Sequence, residues 1–531
     1  MQRLTEPAWY RWYVLFVMTV IYAFNYVDRQ IVTILAPYLK ADLQITDAQL
    51  GLLYGTAFAL FYGLFGIPLA RLADGWSRVR TLSAGLSFWS AMTAFSGAAG
   101  NFTQLGLARI GVGVGEASAS PAAVSLLGDY FERSRRGTVL ALYSVGIYVG
   151  SGASLMIGGS IVAAWESRFG GVSAPLGLAG WQASFIAVGL PGLVLALLVL
   201  LTVREPVRGR LESRPQANDP APFRSALREL GAMFPPWNFA RLRAMQAPAR
   251  ELHMSLAWLL AAVVLVIVAT WATNASLSAA RRAVVFTLGG FPVTTNLIQW
   301  IAMGLAFYAC ASWFQSVRLS DPVADRLITG SRTFRALVIA GACLAFSMNA
   351  VTGFNFVYAT RYLQFDPQAG LTLGVIAVFA GGLGISASGV LCDWARRRHV
   401  AGRLYFVCCT ASLFTLASVV QYSTQDAQTF YLAYAAATFF VPMWFGPVQA
   451  TTQDLVIPRL RGSAFAVLSL GPNIVGLGLG PYTVGLISDA TGDLRFALYV
   501  AVSLLPAALV ALFYAARHLA ADEAVAATIA A

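Results

Sequence analysis

Asp129-Tyr130-Phe131-Glu132-Arg133-Ser134-Arg135-Arg136-Gly137 and Asp454-Leu455-Val456-Ile457-Pro458-Arg459-Leu460-Arg461-Gly462 are the stretches on which the fold turns. Asp129, Arg136, Gly137 and Gly146 coincide with Asp454, Arg461, Gly462 and Gly471 at one constant offset. Each copy sets an acid at the end of one apolar block and an arginine-glycine pair at the start of the next. A looser echo joins Asp74-Gly75-Trp76-Ser77-Arg78 to Asp393-Trp394-Ala395-Arg396-Arg397. The chain therefore repeats itself in parallel, half against half.

Outward from these stretches lie apolar blocks close to the roughly 20 residues that cross a bilayer as helix. In the first half they fall at about 12–35, 49–72, 81–99, 103–127, 137–163 and 181–203. In the second they fall at about 255–276, 293–314, 335–361, 370–391, 404–422, 429–452, 463–487 and 495–516. With 58% apolar residues and 11% charged, the 531-residue chain is far from a soluble composition. The ten-residue alternation of spanning strands is absent. The reading is an all-α membrane protein of 14 spans: two six-helix bundles with two extra helices between them.

Charge sets the orientation. The formal net charge is +12, and Lys40 is the sole lysine. The arginines punctuate apolar helices rather than cover a surface, which argues against nucleic acid as a partner. Arg71, Arg78 and Arg80 fall on the same side as Arg133, Arg135 and Arg136, and that side is read as cytoplasmic, with both termini inside. Residues 1–203 form the N-terminal bundle in this reading. Residues 204–254 form a cytoplasmic linker; its 204–250 stretch holds nine arginines, four acids and seven prolines, with a short amphipathic helix expected around 223–234. Residues 255–334 are an inserted helix pair with an inner loop, and 335–531 the C-terminal bundle and tail.

Chemistry concentrates in few residues. Asp28 lies in Asn25-Tyr26-Val27-Asp28-Arg29, at a depth similar to Arg109 in an oppositely running helix, so the two can meet. Glu116 follows Arg109 by seven positions, two helical turns, and shares its face. Charges in hydrocarbon are costly and face a cavity or a partner. The set can carry a proton, bind an anionic head, or form a static packing network. Arg109 and Glu116 correspond by the repeat offset to Tyr434 and Val441, so the charge is one-sided. Asn349, Asn355 and Tyr358 are the polar candidates of the second bundle. Gly111-Val112-Gly113-Val114-Gly115 has the wrong spacing and setting for a dinucleotide fingerprint; its glycines suit close packing or a cavity wall. The three histidines and five cysteines suggest no metal set, and no cofactor or nucleophile-base pair is expected.

The loop element Asp74 to Arg80, echoed at Asp393 to Arg398, resembles the glycine, aspartate and arginine motif of the major facilitator superfamily. Gly389 keeps the family's glycine four residues before the acid, whereas the first half has Ala70 there. The reading makes Asp74, Arg78, Arg80, Asp129 and Arg136, with Asp393, Arg396, Arg397, Asp454 and Arg461, an inner gate of ion pairs. Arg109-Ile110-Gly111-Val112-Gly113-Val114-Gly115-Glu116-Ala117-Ser118 and Val149-Gly150-Ser151-Gly152 further resemble the Spinster lipid transporters of that superfamily. The resemblance implies transport of a lysolipid-like amphiphile, with protons taken by Asp28 and Glu116 and the substrate head by Arg109, Glu116, Asn25 and Tyr26. The Asn25 to Arg29 motif is shared with organic-anion porters, so a proton-coupled symporter of a small organic anion is the alternative. The arginine bias suggests a bacterial inner-membrane protein, acting as a monomer among membrane lipids.

Overall fold

In the computed structural model, residues 7–132, 135–170, 174–207, 219–366, 369–457 and 460–530 are described. The first half runs through α1 (Ala8–Leu43), α2 (Asp47–Gly75), α3 (Arg78–Ser96), α4 (Phe102–Tyr130), α5 (Arg136–Phe169) and α6 (Gly180–Thr202). The short helices α7 (Pro222–Gly231) and α8 (Trp237–Ala244) follow, the first where the linker sequence is amphipathic. Then come α9 (Ala249–Ala275) and α10 (Thr295–Ser320). The last six are α11 (Arg332–Tyr362), α12 (Ala369–Arg398), α13 (Gly402–Ser423), α14 (Ala427–Asp454), α15 (Val467–Thr491) and α16 (Leu494–Ile529).

Twelve of these helices are long and apolar enough to cross a membrane. To them the sequence reading adds α1 and α3, which are 36 and 19 residues long and carry Asp28, Arg29 and a row of hydroxyls. At 1.5 Å per residue even α3 reaches about 28 Å. The ends are cut by local chemistry. Ser77, Asn101, Thr294, Ser331 and Asp426 each accept a backbone N–H of the turn they open, and Thr46 with Gln49 forms a reciprocal capping box. One departure from an all-helical chain is an antiparallel hairpin, β1 (Val284–Leu288) and β2 (Phe291–Thr294), between α9 and α10. Gly289 and Gly290, at φ 57° and 84°, make its two-residue turn. The sequence reading had only a charged loop there, because the signal is a single Gly-Gly between short apolar runs.

The chain divides into two compact units that do not follow the repeat: Met1–Gln44, Phe61–Leu230 and Phe365–Val378 in one, the remainder in the other. In the first, α1 packs along α5, and α3 lies between α4 and α6. Small residues make these approaches possible: Gly146 and Gly150 lie on the backbone of α1 at Thr19 and Ala23, and Gly152 meets Gly374. In the second, Asp47–Leu60 lies along α15, with Gly51 and Gly55 against the backbone at Pro481 and Leu477.

Candidate functional site

Within the first unit, α1 and α4 bring four charges together. Asp28, Arg109 and Glu116 are all fully buried. Arg29 Nη2 donates to Glu116 Oε2 at 3.0 Å and to Asn25 Oδ1 at 3.3 Å. Its guanidinium also lies over the rings of Tyr26 and Tyr62, 4.7 and 5.1 Å from their centres. Tyr22 stacks on Tyr143 at 4.4 Å and meets Tyr26 edge-on, giving the cluster an aromatic wall.

Asp28 and Arg109 are electrostatic neighbours without a hydrogen bond between them. Both Asp28 oxygens, all three Arg109 nitrogens and Glu116 Oε1 are buried without hydrogen-bond partners. The ion pair of the site is thus Arg29 with Glu116, while Arg109 stands beside both acids. Glu116 is the last residue of its helical segment. The helix breaks at Ala117 and Ser118 before resuming at Ala119.

Glycines explain how α3 reaches this cluster. A Cβ on Gly115 would stand 2.8 Å from the Trp89 backbone nitrogen and Cβ, and Gly111 leaves room for Met92. The glycine run is therefore the face of α4 on which α3 lies.

The inner-gate candidates divide. In the first unit Arg78 is 1% exposed and bonds Asp129, with Nε to Glu205 Oε1 at 2.8 Å and Nη2 to the Pro206 carbonyl at 2.9 Å. Asp74 and Arg80 are exposed, Arg80 over the Trp76 ring. In the second unit the bridging arginine is Arg403, bonding Asp454 at 2.7 Å and Asp393 at 3.2 Å. Each partner of the Arg78–Asp129 pair recurs 325 positions on, from 78 to 403 and from 129 to 454. Arg396 turns instead to Glu523 at 2.8 Å, and Arg397 is exposed. The side chains of Arg136 and Arg461 lie outside the described residues.

The second-bundle candidates sit in hydrogen bonds of their own. Asn349 Nδ2 donates to the Ala345 carbonyl. Asn355 Oδ1 accepts from Gln421 and Tyr422, and Tyr358 donates to the Tyr422 carbonyl at 2.8 Å while stacking on Tyr362 and Phe430. Sequence reasoning missed a further ionic group in this unit. Asp47 takes both bonds from Arg361 Nη2, at 2.9 and 3.0 Å, and one from Ser488 at 2.6 Å. The Asp489 carboxylate accepts the backbone N–H groups of Asp47 and Ala48 at 3.0 and 2.8 Å. An acid at the first turn of α2 was its only available signal.

The sequence model of the Major Facilitator Superfamily matches residues 18–360. The chain is 26% identical to an MFS-type efflux pump of Mycolicibacterium smegmatis, over 91% of this chain and 85% of the relative. It is 30% identical to a probable L-galactonate transporter of Escherichia coli, over 33% of this chain and 35% of that one. Among solved structures it resembles a bacterial homolog of the human lysosomal transporter Spinster, crystallised inward-facing and unoccupied. There the TM-score is 0.70 at 23% identity, covering 97% of this chain and 99% of the other.

Proposed function

This chain belongs to the Major Facilitator Superfamily and is a multi-pass membrane transporter; on that premise we propose that it moves a lipid-like or amphipathic anion by alternating access, coupled to protons through Asp28, Glu116 or both. The observation that carries the reading is the unsatisfied pair. With Arg29 engaged by Glu116, a carboxylate and a guanidinium remain enclosed, and five of their nitrogen and oxygen atoms have no hydrogen bond. An anionic head brought to Arg109 supplies the acceptors it lacks, and a proton on Asp28 removes the charge left over. Asn25 and Tyr26 flank the head in this scheme. The half-buried Asn349 and the aromatic surroundings of Asn355 and Tyr358 suit the apolar remainder. The resemblance of the Arg109 to Ser118 and Val149 to Gly152 segments to the Spinster lipid transporters supports an amphiphile as cargo.

The gates follow from the same premise. Arg78 with Asp129 and Glu205, and Arg403 with Asp393 and Asp454, are assigned to the cytoplasmic ends, with Asp74, Arg80, Arg136, Arg396, Arg397 and Arg461 beside them. Asp47, Arg361 and Asp489 are assigned to the outer ends. The basic loops support a cytoplasmic location of both termini, the membrane is taken as a bacterial inner membrane, and the monomer as the working unit.

Purified protein in vesicles loaded with a fluorescent lysophospholipid, under an imposed pH gradient, tests the proposal. Movement should follow the gradient in the parent protein. A Glu116→Gln protein with full pH coupling would remove Glu116 from the proton path. The similarity to a probable L-galactonate transporter supports a second reading, a small organic anion as cargo. Competition by sugar acids, with lysolipids inert, would decide for it.

A further inference from the structure

Helix α7 begins against the end of a membrane-crossing helix. The Asp219 N–H donates to the carbonyl of Gly75, the last residue of α2, at 3.1 Å. A Cβ on Gly75 would stand 3.0 Å from the Asp219 Cβ and 3.1 Å from the Pro222 Cβ, so the approach is close. The Trp76 ring meets Phe223 at 5.2 Å, and the Arg80 guanidinium lies 5.8 Å from the Trp76 ring centre. α7 therefore starts where α2 leaves the hydrocarbon. Its sides differ: Pro222, Ser225, Ala226, Glu229 and Leu230 are buried or half-buried, whereas Phe223, Arg224, Leu227 and Arg228 are exposed. Phe223 and Leu227, 54% and 67% exposed, form one row four residues apart, and Arg224 and Arg228 form the next row, about 100° round the helix. Neither arginine has a hydrogen bond or ion pair among the described residues, and the single acid of α7, Glu229, lies on the other side. Of the acids near its start, Asp74 is engaged, and the Asp219 carboxylate accepts the Ala221 N–H at 2.9 Å. Arg71, one turn before Gly75, and Arg80 add exposed positive charge beside the helix.

We propose that the exposed face of α7 is a binding surface for anionic phospholipid headgroups of the bilayer that the chain spans, with Phe223 and Leu227 at the acyl boundary and Arg224 and Arg228 on the phosphates. A helix lying in the membrane interface sinks its large apolar side chains and keeps its arginines at headgroup level, and two adjacent rows of these kinds serve both parts of a lipid at once. The unpaired arginines select an anionic surface. The tie to Gly75 selects the bilayer over a soluble partner, because it holds the helix at membrane level. The inference is independent of the cargo and of the proton path.

Hydrogen–deuterium exchange of the full-length protein in lipid nanodiscs reads the backbone of α7 directly. Discs of phosphatidylcholine alone are compared with discs of phosphatidylcholine mixed with phosphatidylglycerol, and exchange in α7 should slow several-fold in the mixed discs. Each arginine near an anionic surface is worth about fivefold in binding. Arg224→Gln combined with Arg228→Gln should therefore remove most of the difference, while Arg224→Lys combined with Arg228→Lys, which keeps the charge, should retain it. Equal exchange of the parent in the two discs, or a glutamine pair as responsive as the parent, overturns the proposal. Loss of the response in the lysine pair as well overturns charge as its basis. Slowing by soluble glycerol phosphate in phosphatidylcholine discs, to the extent that phosphatidylglycerol produces, overturns the bilayer as the occupant.

Discussion

Helices α4 and α14 occupy matching places in the two halves, and both are interrupted at the same point. In α4 the helix breaks just after Glu116; in α14 a 3-10 turn runs over Val441–Trp444, from the position that matches Glu116. The break is shared, and the charge is not. Where α4 places Arg109 and Glu116, α14 places Tyr434 and Val441, with Tyr434 stacked on Phe430 at 6.4 Å. A bend common to both halves belongs to the architecture of the fold. Buried ions confined to α4 of this pair, where each costs several kcal/mol of desolvation, are what the proposed transport site would require.

The comparison breaks most severely if charge is forced on the aromatic half. Tyr434→Arg buries a cation among Phe430, Tyr358 and Tyr422, and should cost several kcal/mol, enough that little protein accumulates in membranes. Normal yield and melting temperature would show that α14 tolerates what α4 carries. Next in size is Glu116→Ala, which removes the carboxylate partner of Arg29. A loss of about 3 kcal/mol and of transport is expected, read by thermal unfolding and vesicle uptake. Unchanged stability would mean that the Arg29–Glu116 pair does not matter to the folded state.

Arg361→Ala removes the bidentate partner of Asp47 in the second unit and should cost about 1–2 kcal/mol. Its readout is thiol labelling of a cysteine placed at Ala48, which is 3% exposed in the parent. Labelling should rise several-fold, and no increase would discard the outer-gate assignment. The smallest effect is expected from Tyr434→Phe, below about 0.5 kcal/mol and within twofold in uptake. A large loss there would move part of the site to α14.

Much of this was legible in the sequence. Block lengths, basic loops and a constant repeat offset give the helices and the superfamily, and burial of Asp28, Arg109 and Glu116 follows from charge inside apolar blocks. The pairing was less legible. Asp28 and Arg29 are adjacent in sequence, yet point about 100° apart on a helix, so which of them meets Glu116 depends on the rotation of α1 about its axis. Sequence periodicity fixes that rotation too coarsely to separate neighbours. Arg403 escaped for a similar reason: Arg396 and Arg397 sit where the loop motif expects an arginine, whereas the ion pair to Asp454 follows the start of the next helix. Glu205 and the Asp47–Arg361 pair depend on helix crossings between distant parts of the chain, which no local pattern encodes.

The boundary between the two compact units falls inside α2, after Leu60, and the first turns of that helix rest on Pro481 and Tyr482. This has a consequence for biogenesis. A ribosome adding about 5–20 residues per second needs roughly 20–90 s between making Gly51 and making Pro481. Through that interval the first turns of α2 are in the membrane without the helix that will cover them. The second span to be made is among the last to be finished, and its glycine face is the surface that lipid or an insertase must shield in the meantime.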